Sequence, residues 1–258
     1  HIRPAIVLLT LFTLLLGLYL WLALGAMTLT MPAWGLDASW RSLLGFAWAS
    51  DLRWGVDIID NLGPYGFILP QQFLPGTLAA VLGFNGFLAA VAALAWLFLV
   101  RDQPAPTQLL LCLFLVLAAM FRRNGYFAIF PMLLVFGSLR RPALPTPILV
   151  VLVLSVALVG LINWTFLVAG IGVLLLIDLA ALLERRAPWR LPLAVATIVV
   201  LHLAAGQALG DLPTFVAITW DQTAGFADAM ALTGPAGEIV LFDVMLIVAS
   251  ILMVRELI

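Results

Sequence analysis

Apolar residues fill this chain in long runs, and the polar positions between them gather in short clusters. A helix needs about 20 residues to cross about 30 Å of hydrocarbon. By that measure the runs predict eight membrane spans, at 5–26, 77–100, 106–121, 125–139, 146–162, 165–183, 191–210 and 238–254. The third and fourth are short and meet at Arg122-Arg123-Asn124-Gly125. A single span through 106–139 would hold two arginines at mid-bilayer, which is costly. A tight helical hairpin is the better reading, with Pro131 kinking its second arm. The first run is too long for a signal peptide and lacks a small-residue cleavage site, so it reads as a retained helix.

Two stretches break the pattern. The first runs from Pro32 to Pro70, inside an outer loop spanning 27–76, and holds Trp34, Trp40, Trp48 and Trp54 with Asp37, Asp51, Asp57 and Asp60. Asp37 can cap a helix that begins at Ala38. In that helix Trp40, Leu43, Leu44, Ala47 and Trp48 share one face. Asp51 would return to that face, so the helix should stop just before it. The pattern predicts a short helix lying in the membrane interface, apolar face down. Gly63-Pro64 and Gly66 then turn the chain back toward the second span. The second stretch, 210–237, reads as another long outer loop. The connections between the other spans are short, so residues 1–258 read as one transmembrane domain.

Composition agrees. The chain is 65% hydrophobic and only 10% charged, whereas soluble domains carry about 25% charged residues. It cannot cover a water-facing surface and reads as an all-α polytopic membrane protein. A net charge of −1 gives no reason to expect nucleic acid. One cysteine, Cys112, excludes an internal disulfide and a multi-cysteine metal site. All twelve basic residues are arginine. With the N-terminus inside, the inner segments hold Arg3, Arg101, Arg140, Arg141, Arg185, Arg186, Arg190 and Arg255. The outer ones hold Arg41, Arg53, Arg122 and Arg123. The excess favours both termini inside and both long polar stretches outside.

Taken alone, the first stretch is an interfacial helix with acids around it. Asp at a helix start is usually a cap, and interfacial Trp is usually an anchor. The order of the motifs adds to that. Asp37-Ala-Ser-Trp40, then Gly55-Val-Asp57, then Gly63-Pro64-Tyr65-Gly66-Phe67 resembles the first outer loop of multi-spanning GT-C class glycosyltransferases of bacteria. Ala205-Gly206-Gln207, Leu212-Pro213, Gly225-Phe226 and Ala229-Met230 also resemble those relatives. The resemblance covers both outer segments and their flanking helices. It implies a GT-C-like fold in the bacterial inner membrane and transfer of a sugar from a polyprenyl-phosphate carrier to an acceptor on the outer face. The acid of the first loop, here Asp37, would then be the general base or position the acceptor. A well-placed base supplies about 10²- to 10⁴-fold.

The leaving lipid phosphate needs cations. Arg122 and Arg123 are the candidates, because guanidinium matches phosphate as a bidentate fork; the alternative is that they snorkel to headgroups. Asp57 and Asp60 are candidates for the acceptor or a divalent cation, against the commoner case of solvated loop acids. Trp40 and Tyr65 could stack on a sugar ring or a prenyl chain, or simply anchor. Gln207 could line the site. Asp221 and Asp228 read as solvated, Asp178 as reaching the inner interface, His202 as a hydrogen-bonded packing residue, and Asp243 as an intramembrane acid. The acid pair often found in the first loop of these transferases is reduced here to Asp37 followed by Ala38. That departure keeps a second reading open, a non-catalytic subunit of a larger membrane complex built on the same fold. A transporter ranks last, since no paired broken helices occur in matching halves.

Overall fold

The computed structural model describes residues 4–23, 31, 35–69, 74, 76–120, 122–139, 144–230, 240 and 244, with side chains at 4–6, 36–38, 122–124, 139 and 226–230 outside the description. Among the described residues the chain is helical, without a strand. The helices are α1 (Pro4–Trp21), α2 (Leu36–Ala49), α3 (Leu78–Val100), α4 (Ala105–Met120), α5 (Arg122–Leu139), α6 (Thr146–Ile162), α7 (Trp164–Leu183), α8 (Arg190–Ala204) and α9 (Leu212–Met230). Short 3₁₀ turns occupy Gly66–Ile68 and Leu209–Asp211. Seven of the eight apolar runs therefore contain helices, close to the expected limits except that the run at 191–210 stops being α-helical at Ala204 and α1 at Trp21. The eighth run, with Asp243, lies outside the described residues.

Among the described residues two helices are long and apolar enough to cross a membrane, α3 with 23 residues and α7 with 20. At 1.5 Å per residue these lengths match a hydrocarbon core of about 30 Å. A third candidate is the pair formed by α8 and Leu209–Gly225, bent by 115° at its break. The apolar parts of α1, α4, α5 and α6 are shorter. Leu8, Leu14, Leu109, Leu110, Leu176 and Leu183 are all more than half exposed. So much apolar surface suggests association with a membrane.

The chain divides into two compact units, 1–219 and 220–258. Within the first, α6 is the hub: α3, α5, α7 and α8 all pack on it, and α1 packs on α3. Its residues from Ser155 to Ile162 are buried without interruption. Small residues permit the close fit. A Cβ at Gly160 would fall 2.8 Å from Leu167 Cδ1, and one at Gly170 2.7 Å from Val156 Cγ1. Helices in lipid associate through such small-residue contacts, since burial of apolar area does not distinguish protein from lipid tail.

The two ends of this bundle differ. At one end Asp178 is buried and pairs with Arg190 at 3.4 Å. Its other oxygen accepts from Leu191 N–H at 2.8 Å. This carboxylate therefore ties α7 to the start of α8 and does not project to an interface. The N-terminal amides of α8 have no earlier turn to bond to, and a carboxylate there is the natural partner. The opposite end carries the α1–α3 connection and the α6–α7 and α8–α9 junctions; we call it the loop end.

Candidate functional site

Three elements build the loop end: α2, residues 50–69, and the elbow between α8 and α9. Helix α2 begins earlier than the pattern predicts. Gly35, at φ 130°, is its N-cap, and Leu36 its first residue. Asp37 therefore lies inside the first turn and is not the cap. Ser39 closes that turn, with N–H and Oγ–H both donating to Gly35 O at 2.9 and 2.8 Å. The helix ends at Ala49, before Asp51, as the periodicity requires.

The apolar face of α2 splits. Leu44 and Ala47 are fully buried against the protein. Trp48 stacks on Tyr65 and Phe67, ring centroids 5.3 and 4.6 Å apart. Trp40, Leu43 and Phe46 are exposed. The buried edge of the helix is held by the loop that follows it, and only the remaining edge is left for a membrane interface.

That loop is a folded plug. Arg53 O accepts from the N–H groups of Asp57 and Ile58. The Asp57 carboxylate returns to Arg53 N at 2.9 Å and closes the turn. Gly55 sits at φ 82°, and a Cβ there would lie 2.7 Å from the backbone of Phe215 in α9. Only glycine admits both the conformation and the approach. Trp54 is buried, its indole N–H donating to Leu62 O at 2.8 Å. Trp164 N–H donates to Asn61 O and Tyr65 N–H to Leu161 O, fixing the plug to the α6–α7 junction.

Asp60 is buried, where the sequence suggested a solvated loop acid. Its Oδ2 accepts from the Trp40 indole at 2.6 Å and its Oδ1 from Leu62 N–H at 2.8 Å. Burial pushes its pKa up, and the two hydrogen bonds oppose that push without cancelling it. Tyr65 is buried too, its hydroxyl donating to Leu201 O at 3.0 Å. It meets Phe84 edge-on at 5.1 Å. Gln207 is 3% exposed. Its Oε1 accepts from Trp54 N–H at 2.8 Å, and its Nε2 donates to Leu52 O at 3.1 Å and Ala205 O at 3.0 Å. Asp60, Tyr65 and Gln207 thus spend their polar atoms on the scaffold, and Trp40 is held by Asp60 with its ring partly open.

The second polar stretch, expected to be a long loop over 210–237, also differs from expectation: it is helical from Leu212 to Met230. Pro213 in its first turn suits a helix start. Asp221 is exposed, as read. Sequence reasoning missed Arg53 and Asp211, which approach to 3.9 Å, with Asp57 3.5 Å from the same guanidinium. Arg53 is half exposed, so these pairs add little stability. They do gather charge on the accessible face of the plug, beside the exposed Asp51.

Arg122 and Arg123 form the first turn of α5. The backbone places that turn at the loop end, since Phe127 meets Phe166 of the first turn of α7 at 6.1 Å. Asp37 is at the same end, through α2. The side chains of all three lie outside the described residues. Between α3, α6 and α8 runs an apolar groove of about 700 Å³, lined by Gly83, Phe84, Phe87, Leu158 and Val200 and ending at Leu201 beneath Tyr65. The described residues hold no cluster of three or more His, Cys, Asp or Glu able to take a metal ion. No family model, curated protein or solved structure matches the chain.

Proposed function

We propose that the chain is an eight-span GT-C-like glycosyltransferase of the bacterial inner membrane, both termini cytoplasmic, which moves a sugar from a polyprenyl-phosphate carrier to an acceptor on the outer face. One observation carries the reading. The two stretches that bear the resemblance, 37–67 and 205–230, lie about 150 positions apart, yet one motif residue of each, Gly55 and Gln207, packs against the other stretch, through the Gly55–Phe215 approach and the Trp54–Gln207 hydrogen bond. Motif-bearing stretches that meet in space are better evidence of a common site than motifs in order along a chain.

In this proposal Asp37 takes the proton of the acceptor hydroxyl as it attacks the anomeric carbon, with the lipid phosphate leaving on the opposite side and the anomeric centre inverting. Arg122 and Arg123 receive the phosphate, and the helix N-terminus they occupy favours an anion. The groove under Tyr65 has the size and apolar lining of a ligand site and would suit the carrier chain. Asp57 remains available to the acceptor or a divalent cation. Asp60, Tyr65 and Gln207 hold the plug that positions these groups. The test is release of polyprenyl phosphate from a sugar-loaded carrier by the protein in lipid discs. Asp37→Asn should lower turnover at least about 10²-fold with the elution profile unchanged; an unaltered rate sinks the assignment.

A second reading, a non-catalytic subunit, draws support from a different observation. Three of the residues proposed for ligand binding are buried and engaged, while Val56 and Ile59 of the plug expose apolar surface at the loop end. Native mass spectrometry of the complex extracted from its membrane decides it: a stoichiometric partner chain, together with no turnover by the isolated protein, favours this reading.

A further inference from the structure

His202 is fully buried in the last turn of α8. Neither ring nitrogen completes a well-formed hydrogen bond among the described residues, although the Ala208 backbone and the Asp211 carboxylate lie beside the ring. The ring faces Phe215, with centroids 6.1 Å apart. Its own carbonyl accepts from Gln207 N–H at 3.2 Å, and Gln207 is the residue that clasps Leu52 and Trp54. A neutral imidazole can occupy such a pocket at the cost of its unmade hydrogen bonds. An imidazolium there would have only the Ala208 backbone and the Asp211 carboxylate to offset the loss of water, and a buried charge that is poorly paired costs far more.

The charged surroundings of the ring are few. The Asp211 carboxylate is its neighbour, and Asp211 Oδ2 is likewise buried without a partner among the described residues. Beyond it stand Arg53, 3.9 Å from Asp211 Oδ1, and Asp57. Asp51 lies beside Gly206. From the plug, Tyr65 reaches α8 at Leu201. Helix α6 carries no titratable residue. Asp178 of α7 is engaged with Arg190 at the opposite end.

We propose that His202 is an acid-operated release for the loop-end clasp. When a proton from solvent binds the imidazole, the ring leaves its apolar pocket for water and Asp211. The Gln207–His202 backbone bond opens, and the grip of Gln207 on Leu52 and Trp54 goes with it. Histidine is the side chain whose ordinary charge change falls between pH 5 and 8, so the release works in the range an outer membrane face meets. It requires no assumption about catalysis.

The test is amide hydrogen exchange of the whole chain in lipid discs between pH 8 and pH 5, each rate normalised to its intrinsic value. Opening that takes up one proton makes protection at Trp54 and Gln207 fall about tenfold per pH unit once the imidazole titrates. Amides in the middle of α6 should not respond. In His202→Phe the ring still fills the pocket and protection should be flat with pH; His202→Gln, which cannot titrate, serves if the first variant fails to fold. Asp211→Asn removes the charge toward which the freed ring moves and should weaken the loss. Flat protection in the unaltered protein overturns the proposal. So does an unchanged acid response in both His202 variants, which would move its origin to another group.

Discussion

Replacing Gln207 by leucine isolates what the clasp is worth. The side chain is nearly the same size and the site is apolar around it, so little cavity is created. What is lost is three hydrogen bonds: Trp54 N–H to Oε1, and Nε2 to Leu52 O and Ala205 O. The losses are unequal. Trp54 is 1% exposed, and its orphaned amide carries the penalty of a buried unpaired donor, about 1–3 kcal/mol. Leu52 is partly exposed and its carbonyl can turn to water, while Ala205 O ends a helix; together they add about 1 kcal/mol. The sum is about 2–4 kcal/mol. At 1.4 kcal/mol per factor of ten, amide exchange at Trp54 should accelerate about 30- to 700-fold. Gln207→Glu separates the contributions, since it keeps an acceptor for Trp54 N–H but sets a carboxylate against two carbonyls. Exchange in Gln207→Leu within a factor of three of the unaltered protein would refute the reasoning, because the plug would then be held by packing alone.

Two further outcomes follow from buried acids. Asp178→Ala leaves Arg190, whose side chain is 12% exposed, without its carboxylate; removing one partner of a buried pair costs about 3–5 kcal/mol. Its thermal midpoint in detergent should fall well below that of the Asp178→Ala, Arg190→Met double variant, and equal midpoints would count against the pairing. Asp60 has a raised pKa, caused first by burial. The folded state then holds that proton more tightly than the unfolded chain, so its contribution is most favourable at low pH and is lost as pH rises from the ordinary carboxylate range through the folded value. Asp60→Asn should flatten that part of the stability profile, read by thermal unfolding across acidic pH, and an unchanged slope would assign it to another group.

Much of the helical frame is legible in the sequence because length and apolarity decide it. The runs at 77–100, 146–162 and 165–183 contain nothing that could end a helix sooner. The separation of α4 from α5 beside Arg122–Arg123 is legible too, although both arginines join α5. The loop end was harder to read. Periodicity put Leu44 and Ala47 on the face of an interfacial helix, which is correct as geometry. It could not say that residues 50–69 would fold back and cover them. Asp60 reads as a loop acid because its partners, an indole 20 positions earlier and an amide two positions later, leave no spacing signature. The role of Gln207 depends on contacts across 153 positions, beyond any local pattern. The helix at 212–230 was missed because its polar residues outweigh its periodicity, although Leu212-Pro213 is a recognisable start.

The clasp also bears on how the protein is made. Trp54 is synthesised 153 residues before Gln207, and Tyr65 136 residues before Leu201. At about 5–20 residues per second, the plug waits about 7–30 s for its partners. During that interval the Trp54 amide and the Tyr65 hydroxyl must be satisfied by water or by the translocation machinery, and five helices must be placed before the sixth can close the end. The loop end is therefore assembled late in synthesis. A polypeptide interrupted between α7 and α8 would carry every motif of residues 37–67 and still lack the contacts that hold them.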